Sequence, residues 1–139
     1  FYIDHLTALA TGQGTDERVE LERITSDIAK LAKRLNIIII MVSHLATPIG
    51  KPHEEGGRVS IRHFKGSRAI GFWCHFMFGL ERDQQAEDET ERQTTTFRVL
   101  KDRYTGQATG LTFPLNYDHV TGKLYEVSPF DSTPLAANF

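Results

Sequence analysis

Residues 37–44, Ile-Ile-Ile-Ile-Met-Val-Ser-His, constrain the fold of this 139-residue chain more than any other stretch. Four consecutive isoleucines cannot alternate between core and solvent. A continuous β-branched run predicts a strand buried on both faces, as in a parallel sheet with helices packed on either side. The run ends in Ser43-His44 at the strand's carboxyl end, the edge at which open α/β sheets bind ligands. On position alone His44 could equally be a histidine that satisfies a carbonyl at a strand end, so the rest of the chain has to decide.

Phe1-Tyr2-Ile3 reads as a second buried strand, closed at its carboxyl end by Asp4-His5. A carboxylate there is unfavourable for packing and is often kept to hold a cation. Residues 7–15, with Gly12 and Gly14, are predicted to form a loop feeding a helix over 16–35. In that helix Leu21, Ile24, Ile28, Leu31 and Leu35 recur at spacings of three and four, an apolar stripe assigned to the core. Asp16, Glu17 and Glu20 near its start and Lys30, Lys33 and Arg34 near its end complement the helix dipole, and Asn36 is the expected stop. Strand, helix, strand is a crossover of right-handed sense, and it sets Asp4 and His44 at one edge of a parallel sheet. The odds for His44 therefore move toward function.

The length suits one domain with its own core. Hydrophobic residues at 40% and charged residues at 24% give no reason to expect disorder. A net charge of −2 means that any nucleic-acid surface must be local. The single cysteine, Cys74, excludes an internal disulfide, fits a reducing compartment and, beside Trp73, His75 and Phe76, reads as buried. No apolar run reaches the length of about 18 residues needed for a membrane span. Residue 1 already sits inside a strand-like segment, which reads as the back part of a longer protein.

Residues 45–65 form a long loop with Pro48, Gly50, Pro52, Gly56 and Gly57, and long loops in compact domains are commonly functional. Lys51, Arg58, Arg62, Lys65 and Arg68 outnumber Glu54 and Glu55 along it. A short helix over 66–75 and an apolar strand over 76–80 follow, the strand ending at Glu81-Arg82. The acidic stretch 84–93 is expected to be a surface turn or disordered. Positions 94–103 alternate as a strand that delivers Lys101-Asp102-Arg103 at its end. Two further strands, 111–117 and 124–127, are joined by a hairpin turn with Asp118 and Gly122. Residues 128–139 read as a tail.

In order along the chain stand Tyr2-Ile3-Asp4-His5, Val42-Ser43-His44-Leu45, His53-Glu54-Glu55-Gly56, Lys65-Gly66-Ser67, Leu80-Glu81-Arg82 and Leu100-Lys101-Asp102-Arg103-Tyr104-Thr105-Gly106. Over residues 1–127 these strings resemble the C-terminal half of the RecA-like motor domain of DnaB-like ring replicative helicases. Within that family they are most similar to the phage helicase-primases and the mitochondrial helicase Twinkle. The fold so implied is α/β: a partial RecA-like P-loop NTPase core that begins at the Walker B strand. Its parallel strands with a crossover helix are followed by antiparallel C-terminal strands and a hairpin.

The resemblance implies a part for each matched residue. Asp4 is the Walker B aspartate, holding Mg²⁺ through water against the phosphates of ATP or another NTP. His44 is the γ-phosphate sensor. Arg103 is an arginine finger reaching a neighbouring subunit's nucleotide, with Lys101 on the same strand face. Arg82 and Tyr117 sandwich the base, Tyr117 only after a one-residue shift in the alignment. Lys51 lies on one single-stranded-DNA loop, and Lys65 and Arg68 flank a second. The implied partners are single-stranded DNA, a homo-hexameric ring and a primase domain or protein. The setting implied is the cytoplasm of a phage-infected bacterium.

The chain also departs from the family. It contains no G-x-x-x-x-G-K-[ST] phosphate loop and no upstream strand bearing the glutamate that activates water, both of which would precede residue 1. The isolated chain is therefore expected to be inactive. Phe72 occupies a position where relatives often carry a polar residue. Two alternatives stay open: a RecA- or KaiC-type ATPase, and a truncated, non-catalytic protein that binds single-stranded DNA or a ring partner.

Overall fold

A computed structural model describes residues 1–10 and 16–127. The long helix begins at Glu17, where the Asp16 carboxylate accepts from the Arg18 N–H at 3.0 Å. It ends at Asn36, whose left-handed backbone (φ 49°, ψ 51°) turns the chain out of the helix. This helix, α2 (Glu17–Leu35), connects β1 (Tyr2–Ile3) to β2 (Ile40–Met41). The two strands are parallel, with Tyr2 opposite Ile40 and Ile3 opposite Met41.

The stretch 37–44 is not buried on both faces. Its residues alternate, and Ile38 and Ile40 remain 78% and 49% exposed. The reason is that α2 and a short helix, α1 (Leu6–Ala10), pack against one side of the strand pair only. Helix α1 also corrects the loop expected over 7–15: Leu6 and Ala10, four apart, both face the core. Residues 11–15 lie outside the described part. The α2 stripe holds in its first half, where Leu21 is buried and Ile24 and Ile28 pack on the core. Leu31 and Leu35, assigned to the core from their spacing, are instead exposed.

After β2 the chain runs through the long loop, which contains a 3₁₀ turn (Ile61–His63), into α3 (Ser67–Trp73). A separate antiparallel sheet follows, in the order β3 (Phe76–Glu81), β4 (Thr94–Asp102), β5 (Thr112–Asp118), β6 (Lys123–Glu126). The strand carrying Lys101 is thus not hydrogen-bonded to the pair carrying Asp4 and His44. Met77, Gly79 and Glu81 face the interior, while Phe76, Phe78 and Leu80 line an open face, continued by Phe97 and Phe113 through ring contacts. The acidic stretch is neither a bare turn nor disordered. It holds α4 (Glu89–Gln93), capped by the Asp88 carboxylate on the Glu91 N–H and braced by Arg92 on the Ala86 and Glu87 carbonyls. The β5–β6 turn is the expected one: Asp118 accepts from the Val120 and Thr121 N–H groups, and Gly122 takes φ 69°. The tail 128–139 lies outside the described residues.

Candidate functional site

Register places Asp4 and His44 at one edge. Because Ile3 is level with Met41, Asp4 comes level with Val42, and His44 follows two residues further along at the same carboxyl edge of the parallel pair. The Val42 N–H donates to the Ile3 carbonyl, and the Leu6 N–H to that of Val42, continuing the ladder through this edge. The Asp4 carboxylate is exposed and has no side-chain partner among the described residues. The His44 ring stacks on His5, centroids 4.0 Å apart and planes at 29°. The Nδ1 of His5 lies 2.6 Å from the hydroxyl of buried Thr7. His5 was missed as a site residue, although its signal was present: it follows one strand of a parallel pair as His44 follows the other.

The long loop is closed at its base beside His44. Leu45 bridges Phe64, the Ala46 N–H donates to the His63 carbonyl at 2.6 Å, and the Lys65 N–H to that of His44 at 3.3 Å. Higher up, the Gly57 N–H closes on the Pro52 carbonyl at 2.8 Å, and a Cβ at Gly57 would meet the Lys51 carbonyl at 2.2 Å. The tight turn so formed docks on the end of β3 through a Glu55–Asp83 bridge and the Gln84 N–H on the Glu54 carbonyl. The Lys51 ammonium pairs with Asp83 at 3.1 Å. Lys65 and Arg68 are exposed. Arg58, Arg62 and Arg68 line one open groove of about 1020 Å³, with Arg98 in its wall. His63 stands edge-on to His53 at 5.0 Å; burial, then His53 and Arg62, push its pKa below the usual histidine value.

Arg98 is committed elsewhere. It holds Glu81 in a two-pronged pair, at 2.7 and 2.9 Å, and the other donor to Glu81 is the Val59 N–H at 2.9 Å. Burial pushes the Glu81 carboxyl up. The Arg98 hydrogen bonds, the Val59 N–H and the charges of Arg98 and Arg58 more than offset this and hold it below the ordinary glutamate value. Sequence alternation alone does not reveal this clamp between loop and sheet.

At one end of the antiparallel sheet, Lys101 and Arg103 both turn toward α3, as their period of two predicts. The Lys101 ammonium donates to the Gly71 and Cys74 carbonyls at 2.5 and 3.0 Å, where α3 ends. Burial, then the charge of Arg103, push its pKa below that of a free lysine. Burial likewise pushes the Cys74 thiol up, although Cys74, expected to be buried, is only half-buried. The Arg103 guanidinium is exposed and lies 5.9 Å from the centre of the Phe72 ring, and the Arg103 N–H donates to the His75 carbonyl. Asp102 accepts from the Tyr104 and Thr105 N–H groups and the Thr105 hydroxyl, which shapes the following turn and holds its pKa down.

Arg82 and Tyr117 occupy the other end. Glu81 pairs with Thr96, and Thr94 pairs with Asn116, so Arg82 and Tyr117 are two strands apart on the same sheet face. Arg82 is level with Leu115, so Tyr117 lies two strands over and two residues further along, roughly 12 Å away, within reach of both long side chains for a planar ring between them. The Nε of Arg82 donates to the Arg92 carbonyl at 2.6 Å, and Tyr117 meets His119 edge-on.

No family model matches the chain. It is 32% identical over 124 residues to a DNA helicase/primase of Enterobacteria phage T3, covering 88% of this chain and 21% of that protein. A solved structure of a DnaB-like replicative helicase and its interactions with primase superposes with a TM-score of 0.71 at 18% identity, over 91% of this chain and 30% of that one. The chain thus spans about a fifth of the curated relative's length. Sequence and fold together bear out the resemblance: over most of its length the chain is similar to a phage DNA helicase/primase, and it carries the α/β, RecA-like fold of the DnaB-like replicative helicases.

Proposed function

We propose that residues 1–127 form the C-terminal portion of the motor domain of an ATP-driven replicative helicase that moves along single-stranded DNA. The observation that carries this reading is the placement of Asp4 and His44 beyond the ends of two paired parallel strands, at one carboxyl sheet edge. A carboxylate and a ring donor at such an edge are groups that a triphosphate site requires. Asp4 has a free oxygen donor suited to Mg²⁺ held through water. No group of three His, Cys, Asp or Glu side chains among the described residues encloses a metal, which fits an ion held mainly by water and phosphates. Mg²⁺ so bound would neutralise charge on the phosphates. His44 donates to the γ-phosphate, and Arg82 and Tyr117 hold the base between a guanidinium plane and a ring. Arg103 stabilises charge on the neighbouring subunit's nucleotide in a homo-hexameric ring.

Lys51, Lys65 and Arg68 track DNA phosphates without reading bases. The names of both relatives include primase, which supports a primase domain or partner here. No helix among the described residues is long and apolar enough to cross a membrane; we place the motor in the cytoplasm of a phage-infected host. In a ring of subunits that carry these residues together with a phosphate loop, single-stranded DNA should stimulate Mg²⁺-dependent ATP hydrolysis. Asp4→Asn and Arg103→Ala should each abolish it. Full turnover in either variant would overturn the reading.

A further inference from the structure

We infer that His5 is a positioning residue for His44: its imidazole is a platform that fixes the plane of the His44 ring at the sheet edge. Three observations meet here. The rings overlap at 4.0 Å with planes only 29° apart, so tilting the His44 ring toward His5 meets its face. The platform is itself anchored, because His5 Nδ1 is at hydrogen-bond distance from Thr7 Oγ1, and Thr7 is 7% exposed on the first turn of α1. The backbone on both sides is pinned, by the Leu6 N–H on the Val42 carbonyl and the Lys65 N–H on the His44 carbonyl. With its main chain held and one ring face covered, His44 keeps little freedom to turn its ring away from the sheet edge. Asp4 has no side-chain partner among the described residues and adds no constraint of this kind.

A hydrogen bond to a transferring phosphoryl group depends on such orientation. A donor turned away by an ångström loses much of its effect on the transition state. The platform acts through His44 and needs no contact with nucleotide. An aromatic ring of any chemistry at position 5 would supply the stacking surface, whereas a polar side chain that still reaches Thr7 would not.

This rests on the reading of His44 as a γ-phosphate sensor, and the test separates the two. In an assembled ring with a phosphate loop, His44→Ala first establishes whether the sensor matters; unchanged turnover there overturns the sensor and the platform together. Given a loss with His44→Ala, His5→Ala and His5→Gln should each lower kcat roughly tenfold, with little change in the KM for ATP. His5→Phe should restore kcat to within about twofold, and His5→Ala should add nothing in a His44→Ala background. The sensor stands and the platform falls if His5→Ala leaves kcat intact, if Phe fails where His works, or if the two losses multiply. A second measurement needs no turnover. In the 139-residue chain, the His44 ring-proton resonances should lie upfield from the current of the His5 ring and move downfield in His5→Gln. Unmoved resonances would overturn the stack.

Discussion

Arg82 and Arg103 stand at opposite ends of one antiparallel sheet. Arg82 follows the last residue of β3, and the Arg103 backbone bonds to His75, just before that strand begins. At about 3.3 Å per residue, the length of β3 puts them on the order of 20 Å apart. In the proposed site, where Arg82 grips the base, that distance supports assigning Arg103 to the nucleotide of the next subunit round a closed ring.

The first expectation concerns mixed rings. Arg103→Ala subunits, and subunits lacking the phosphate-loop lysine, should each be inactive alone. Mixed equally, about one interface in four pairs an intact loop with an intact arginine by random assortment in a closed ring. ATPase activity should recover toward that fraction. His44→Ala mixed with the same partner should recover less, since an intact histidine and an intact loop never share a subunit. Equal recovery in both mixtures would remove the finger from Arg103.

The second separates Lys101 from Arg103. Lys101 is spent on the carbonyls that end α3, so Lys101→Met should cost about 1–2 kcal/mol of stability, read as a lower Tm. Arg103→Ala removes an exposed group over an exposed ring and should leave Tm within about a degree. If Lys101→Met left Tm untouched and removed only turnover, the ammonium would belong to the nucleotide.

Much of this arrangement was legible in the residues, and the misses have more than one cause. The helix over 16–35, its stop at Asn36, the alternating strand at 94–103 and the hairpin at Asp118 depend on local signals, and all appear at or near their expected bounds. So does the placement of Asp4 and His44 at one edge of a parallel strand pair, because strand order and crossover direction fix it. The isoleucine run misled, since a run of four shows hydrophobicity but not what covers each face; in the described residues one face of β2 is open. Glu81–Arg98 and His5–His44 escaped because both join residues far apart in sequence, and no spacing rule links them.

The third expectation uses the Glu81 clamp. The pair is largely buried, so Arg98→Leu, which strands a carboxylate, should destabilise by about 3–5 kcal/mol. Glu81 has a folded pKa below its ordinary 4.5. Its contribution to stability is therefore fully present above pH 4.5 and is lost as pH falls through the lower folded value. Acid melts of the parent should show that loss. Arg98→Leu should show a shallower slope over the same window, and an unchanged slope would sink the assignment.

The fourth concerns the basic loop. Lys51→Ala and Lys65→Ala should weaken single-stranded DNA binding by similar factors on unrelated sequences, each reducing the salt slope by about 0.7. Asp83 competes with phosphate for Lys51, so Asp83→Asn should tighten binding a few-fold. Losses that depend on base sequence would place these lysines outside the DNA path.

The turn closed at Gly57 changes how far this loop can reach. Anchored on β3 from Glu54 and Glu55, and stitched to His63 and Lys65 at its base, it leaves residues 47–50, on the approach to Lys51, without a backbone hydrogen bond among the described residues. Four residues fully stretched span roughly 13 Å. In the proposed DNA path, whatever Lys51 grasps must come to the subunit within the swing of that short tether, which carries the fully exposed Ile49. A longer stride along the strand then falls to the subunit as a whole.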